Sequence, residues 1–284
     1  MRISEGQVAV VTGAGSGIGR ALVGALAERG VHVVAADIDP SALAEVQAAV
    51  PTPIEIEAVD VSKLDQMTAL AQRVQDGHGA VDLLFNNAGV IAPRAVCWEQ
   101  EEKDWRWLSE VNYFGVMNGV RAFVPHMVER RHGHVVNTSS VTGIAVVGLG
   151  ISTYAASKNA VVGLTEWLRS DLDFVAPEVR TTVFCPGPVD TRIREADRNR
   201  PSEYRTTRTD VTEVDRTYGN PLPSISADEA VRALIAGVEA DVLYLPVGPG
   251  VGDVARERAH RVLADLSRAD ALVAAARAAT ESSR

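Results

Sequence analysis

"QVAVVTGAGSGIGRALVGALAERG", residues 7–30, reads as a strand, a glycine-rich turn and a helix in direct succession. The β-branched run 7–13 suits a strand covered on both faces. From residue 17 onward apolar side chains recur at helical spacing until Gly30 stops them. Between the two, the chain must turn sharply, admit a ligand to its backbone and pack a helix against a strand. Glycine has no Cβ to obstruct any of these, which accounts for Gly13, Gly15, Gly17 and Gly19. The N–H groups at the helix start, around Ser16, Gly17 and Ile18, form with the helix dipole a site for pyrophosphate. The spacing is G-x-x-x-G-x-G through Gly13, Gly17 and Gly19, with Ile18 where the commoner G-x-G-x-x-G would place glycine. No Lys-Ser/Thr pair follows, so a nucleotide-triphosphate loop is excluded.

Working outward, strands and helices alternate. Strands are expected at 31–37, 54–60, 81–89, 133–140, 179–189 and 242–248, and helices at 40–50, 63–76, about 103–130 and about 153–174. This is an α/β pattern, and it predicts a Rossmann-type doubly wound parallel sheet of about seven strands with helices on both faces. The 284 residues fit one domain, 1–284. Residues 192–220 break the alternation; dense in arginine and acids and placed after a strand's carboxyl end, they are expected to form a substrate lid. An Ala/Arg-rich helical extension is expected at about 254–279, ending in a frayed "TESSR".

Composition narrows the function classes. Hydrophobic residues make up 46% and charged residues 23%, as in soluble globular proteins. A net charge of −9 argues against a nucleic-acid partner, and no apolar run reaches the length of a membrane span. With no signal-peptide pattern at the amino terminus, Cys97 and Cys185 are read as reduced thiols in a cytoplasmic protein. The six histidines form no metal-binding pattern, so no metal site is expected.

Asp37 closes the second strand about twenty residues after the glycines, the offset at which a carboxylate can accept hydrogen bonds from ribose hydroxyls. It would repel a 2′-phosphate at close range, with no arginine beside it to compensate, which favours NAD over NADP. Ile38 beside it, with Asp60 and Val61 after the third strand, is expected at the adenosine end, although Asp60 would equally cap the next helix.

In "YAASK" (154–158), Tyr154 and Lys158 stand at i and i+4, on one helix face with Cβ atoms roughly 5–6 Å apart. Together with "TGAGSGIG" (12–19), "NNAG" (86–89), Asn112, "NTSS" (137–140) and "PGPVDT" (186–191), this segment resembles the short-chain dehydrogenase/reductase family over about residues 5–250. The resemblance implies a single-domain Rossmann fold, NAD(P) across the strand ends, and a tetrad of Asn112, Ser140, Tyr154 and Lys158. It also implies homodimers or homotetramers assembled through the two long helices.

The chemistry is consistent with that carry-over. A free phenol, with a pKa of about 10, is too weak a base at neutral pH. An ammonium about 4 Å away contributes about 4 kcal/mol at an effective dielectric of 20, which would lower the phenol by about three units before desolvation is subtracted. Ser140, three residues before Gly143, would hydrogen-bond the reacting oxygen, with Ser139 as the alternative. By the resemblance, Asn112 holds a water on a proton relay. Asn87, Ala88 and Gly89 lie beside the adenosine ribose, and Pro186, Gly187, Val189 and Thr191 lie beneath the nicotinamide. Substrate walls are expected from Ile91, Pro93, Arg94 and Val96, from 143–151, and from the lid. The reading is an NAD-dependent enzyme acting on a largely apolar secondary alcohol or ketone. A biosynthetic ketoreductase using NADPH and a non-catalytic dinucleotide sensor are the alternatives, and the lid arginines leave acidic or acyl-thioester substrates open. Trp98, Trp105 and Trp107 are expected in the core or at a subunit contact.

Overall fold

A computed structural model of the chain describes residues 1–207 and 222–282. Seven parallel strands, β1 (Val8–Thr12), β2 (His32–Asp37), β3 (Glu55–Ala58), β4 (Leu83–Asn86), β5 (Gly133–Thr138), β6 (Val179–Pro186) and β7 (Tyr244–Val247), lie in the order β3-β2-β1-β4-β5-β6-β7. Strand order reverses at β1, whose neighbours β2 and β4 leave toward opposite edges. The crevice above β1 and β4 is therefore the place where such sheets bind ligands.

The fold follows from the period-two alternation in strands that carry no polar face. In β1, Ala9 and Val11 join a core with Leu22, Val23 and Leu26 of α1 (Gly17–Ala27), Leu43 and Val46 of α2 (Pro40–Ala49), and Leu234 and Ile235 of α8 (Ala227–Glu239). Val8 and Val10 point the other way, onto Met67 and Leu70 of α3 (Leu64–His78), Phe123 of α5 (Gly115–Arg130) and Leu168 of α7 (Ser152–Val175). The remaining helices are α4 (Glu102–Leu108), α6 (Val141–Ile144) and α9 (Val251–Ser282).

Two features differ from the sequence reading. The long helix expected at about 103–130 is three joined segments: α4, a π-helical turn at Ser109–Phe114, and α5. Helix α8 was not singled out, although Ser226 and Glu229 form a reciprocal capping box at its start, a pattern visible in sequence. Residues 208–220 of the expected lid lie outside the described residues.

His134 of β5 is fully buried. Its Nε2 lies 2.9 Å from Thr182 Oγ1; that hydroxyl donates to the Val242 carbonyl, so Nε2 carries the hydrogen. Burial pushes the imidazole pKa down from 6.5 to about 4. Between these two values the unfolded chain takes up a proton that the folded chain refuses, so stability is lost as pH falls through that window. The loss should approach about 3 kcal/mol at about 1.4 kcal/mol per unit. We expect the urea midpoint of His134→Leu to fall less steeply over this pH range than that of the wild type; parallel curves would refute the assignment.

Candidate active site

The carboxyl ends of the strands open into a cleft of about 890 Å³. Its nucleotide half begins at the glycine turn. Gly13 has a φ of 66°, and a Cβ there would come within 2.7 Å of Ala88 Cα. A Cβ on Gly19 would overlap the Gly13 carbonyl oxygen, so only glycine lets α1 start this close to β1. Ser16 takes the N-cap position without a side-chain capping bond, leaving the first N–H groups of α1 to other acceptors. Across the switch point, Asn87 Nδ2 donates to the Thr12 carbonyl at 3.0 Å, and Thr12 Oγ1 accepts from the N–H groups of Asn87 and Ala88. Asn86 turns inward instead and donates to Asn137 Oδ1 at 2.9 Å, a contact within the sheet.

Asp37 is oriented by two backbone N–H groups, that of Gly15 at 2.9 Å and that of Asp39 at 3.0 Å. Asp60 accepts from the N–H and hydroxyl of Ser62, so it both closes a turn and lines the cleft. Two residues beyond Asp37, Asp39 is acted on electrostatically by Arg192 and Arg198.

At the other end, Tyr154 and Lys158 project from one face of α7, with Nζ 5.7 Å from the phenol ring centroid. Lys158 is buried and donates to the Thr138 carbonyl at 2.9 Å. The Ser140 side chain lies close enough to the Tyr154 phenol to favour its ionised form, while its Oγ accepts from the Thr142 N–H at 3.2 Å. Ser139 points elsewhere and donates to the Lys158 carbonyl at 2.7 Å. Geometry thus separates the two serines: Ser140 faces the cleft beside the phenol, and Ser139 ties β5 to α7.

The expected depression of the phenol is absent. Burial pushes Tyr154 up to about 12, with the nearby Ser140 side chain opposing. Burial also pulls Lys158 down to about 8. Desolvation outweighs the attraction because the ammonium is itself out of water and engaged by Thr138.

Asn112 is buried in the π-helical turn. Its amide accepts from the Val90 N–H and donates to the Val90 carbonyl and to Ser157 Oγ. The side chain clamps the loop after β4 to the helices and does not line the cleft. Gly15 and Gly19 are also absent from the cleft wall, and support it from behind. The remaining expected residues, Gly13, Ser16, Gly17, Ile18, Ile38, Val61, Asn87, Ala88, Gly89, Pro186, Gly187, Val189 and Thr191, all line it.

On the substrate side Ile91, Pro93, Arg94, Val147, Gly148 and Ile151 form part of the wall; Val96 does not. Trp107 was expected in the core or at a subunit contact; it is buried and also faces the cleft, packing with Ala196, Tyr204 and Tyr154. Trp98 is 84% exposed and belongs to no core.

Residues 192–207, the described part of the expected lid, are pinned by a contact that sequence reading missed. Arg200 and Asp104 form a buried pair at 2.6 Å, and the guanidinium sits 4.2 Å from the centroid of the Trp107 ring. Burial raises the Asp104 pKa, with Arg200 opposing. Lys103 adds a bond to the Arg205 carbonyl, and Thr207 donates to Glu101. In sequence the pair is 96 residues apart, and nothing local marks it.

Comparison with known proteins identifies what this arrangement belongs to. The short chain dehydrogenase family model matches residues 7–202. The chain belongs to the short-chain dehydrogenase/reductase family. It is 34% identical over 194 residues to the 3-oxoacyl-acyl-carrier-protein reductase FabG of Thermotoga maritima, covering 67% of this chain and 77% of that one. A short-chain dehydrogenase/reductase from Burkholderia phymatum, solved in complex with NAD, superposes with a TM-score of 0.85 at 34% identity, over 93% of this chain and 97% of that one. A short chain dehydrogenase from Burkholderia cenocepacia, solved with NADP, gives 0.73 at 29% identity, over 94% and 98%. The protein is thus an oxidoreductase of a family that binds a nicotinamide dinucleotide and acts on small molecules.

The lid anchor yields a stability test. Asp104→Ala or Arg200→Ala leaves one charge buried alone and should cost about 3–5 kcal/mol. The double change Asp104→Leu with Arg200→Met should recover most of that loss in urea unfolding. A double variant as unstable as the singles would show that the pair is not the unit holding the lid.

Proposed function

We propose that this chain interconverts a secondary alcohol and a ketone with NAD, Tyr154 moving the proton at the substrate oxygen. The observation that carries this is that Ser140, Tyr154 and Lys158 stand together on the cleft wall, with Lys158 Nζ 5.7 Å from the Tyr154 ring centroid. When bound, the dinucleotide supplies the hydride acceptor or donor. The turn from Gly13 to Gly19 would hold its pyrophosphate, Asp37 its adenosine ribose, and Ile38, Asp60 and Val61 its adenine. Asn87, Ala88 and Gly89 would flank the adenosine ribose, Lys158 would hold the nicotinamide ribose, and Pro186, Gly187, Val189 and Thr191 would face the nicotinamide. The glycine cradle and the uncapped start of α1 suit a diphosphate, and the Asp37 carboxylate suits an unphosphorylated ribose.

Ser140 would donate to the developing alkoxide, and Lys158 would favour the phenolate when Tyr154 gives up its proton. With the Asn112 side chain engaged on both faces, any water it holds must be held by its backbone. The apolar wall of Val90, Ala92, Trp107 and Ala196 beside Tyr154 favours a hydrophobic or alicyclic substrate. The chain would act as one domain, with the described segment 192–207 standing over the substrate side of the cleft. Trp167 at 71% and Phe174 at 90% exposure on α7 support assembly of a homodimer or homotetramer through the long helices.

Two observations favour a second reading, a ketoreductase using NADPH: the lid arginines near Asp39, and the FabG relative. Kinetics with each dinucleotide separate the two, and a clear NADPH preference would displace the Asp37 argument.

The proton inventory sets a pH test. A phenol near 12 stays protonated at neutral pH and is ready to donate, so ketone reduction should be level from about pH 6 to 8. It should decline above that as Lys158, near 8, loses its charge. Alcohol oxidation needs the deprotonated phenol and should rise with pH. Tyr154→Phe should lower kcat at least about 100-fold in both directions; NADH formation from a panel of secondary alcohols that survives this change would remove the mechanism.

A further inference from the structure

Helix α9 leaves the body of the protein after its first turn. Val251 is buried with Val141, Ala145 and Val147, and Val254 packs beside them. From Arg256 to Arg277 every residue is exposed. Apolar side chains nevertheless persist: Val262 is 47% exposed, Leu266 57% and Val273 51%. A long helix takes most of its stability from packing one face, and this one has no partner for its face among the described residues.

The pattern says what kind of partner fits. Ala255, Ala259, Val262, Leu266, Ala269, Val273 and Ala276 follow one another in strictly alternating steps of four and three. That is the 3.5-residue period that keeps a seam facing a second helix in a left-handed pair.

Charge selects the orientation when the second helix is α9 of another copy. In an antiparallel pairing centred near Ala264, Ala255 meets Val273 of the second copy, Ala259 meets Ala269, and Val262 meets Leu266. Arg256, which also pairs with Asp253 on its own helix, then lies opposite Asp270 on both sides of the two-fold axis. Leu263 meets its own equivalent, and on the other flank Asp265 does the same, the one like-charge contact of this register. A parallel pair would set Asp265 against Asp270 on both flanks with no opposite-charge contact, and an antiparallel pair shifted one heptad toward the carboxyl end would set Arg256 against Arg277 twice; like charges disfavour both. A shift the other way leaves Val273 opposite residue 248, outside α9, and so shortens the seam. The arrangement is self-complementary, as a two-fold contact requires.

We propose that α9 is a second assembly surface, pairing antiparallel with α9 of another copy through this seam. It is separate from α5 and α7 and does not depend on the reaction proposed above. The full-length protein tests it at micromolar concentration by light scattering. Leu266→Glu should halve the particle mass relative to wild type; an unchanged mass overturns the proposal. In a Cys97→Ser background, the double variant Ala259→Cys/Ala269→Cys should form disulfide-linked dimers on mild oxidation while neither single variant does. Cross-linking by a single variant, or none by the double variant, overturns the antiparallel register. If wild type alone sediments with phosphatidylserine vesicles while Leu266→Glu keeps the same mass, the seam faces a membrane surface and the proposal falls.

Discussion

A single buried ammonium organises the end of the cleft where Tyr154 and Ser140 meet. Lys158 is 2% exposed, and a charge held that far from water needs polar partners on several sides. The Thr138 carbonyl at the end of β5 supplies one, and Ser139 fastens the lysine's own backbone carbonyl to the same strand end. The loop after β4 closes tightly over it: a Cβ on Gly89 would lie 3.1 Å from Nζ. β4, β5 and α7 therefore meet at one point. Tyr154, one turn earlier on α7, is carried to Ser140 by that same meeting.

The electrostatics of the pair are more balanced than proximity suggests. In water-like surroundings an adjacent cation would make the phenol more acidic; here burial acts on both groups and moves them toward their neutral forms. In the reaction proposed above, a protonated tyrosine beside a lysine near its titration point would be a proton donor at rest. Reversing its role requires added positive charge in the cleft, which an oxidised nicotinamide carries.

A second buried charge pair does for the lid what Lys158 does for the catalytic helix. Arg200 and Asp104 stabilise each other out of water, and the Trp107 face takes up the guanidinium plane. Through them the first part of the lid is fastened to α4, and Ala196 and Tyr204 close the apolar wall beside Tyr154. Shape and polarity on the substrate side thus depend on a contact remote from the reacting atoms.

Much was determined by sequence alone, because the signals are local. Strand runs, the glycine turn and the i, i+4 placement of Tyr154 and Lys158 each arise within a few residues, from backbone sterics and fixed periodicities. They suffice for the parallel sheet, the position of the cleft and the face on which the reactive pair sits. Only the tertiary structure decided which serine meets the phenol, that Asn112 is held as a clamp within a π-helical turn, that Arg200 reaches Asp104, and that burial raises the phenol. These are outcomes of desolvation and of contacts between distant segments, and both exist only once the chain has excluded water from the places where its elements meet.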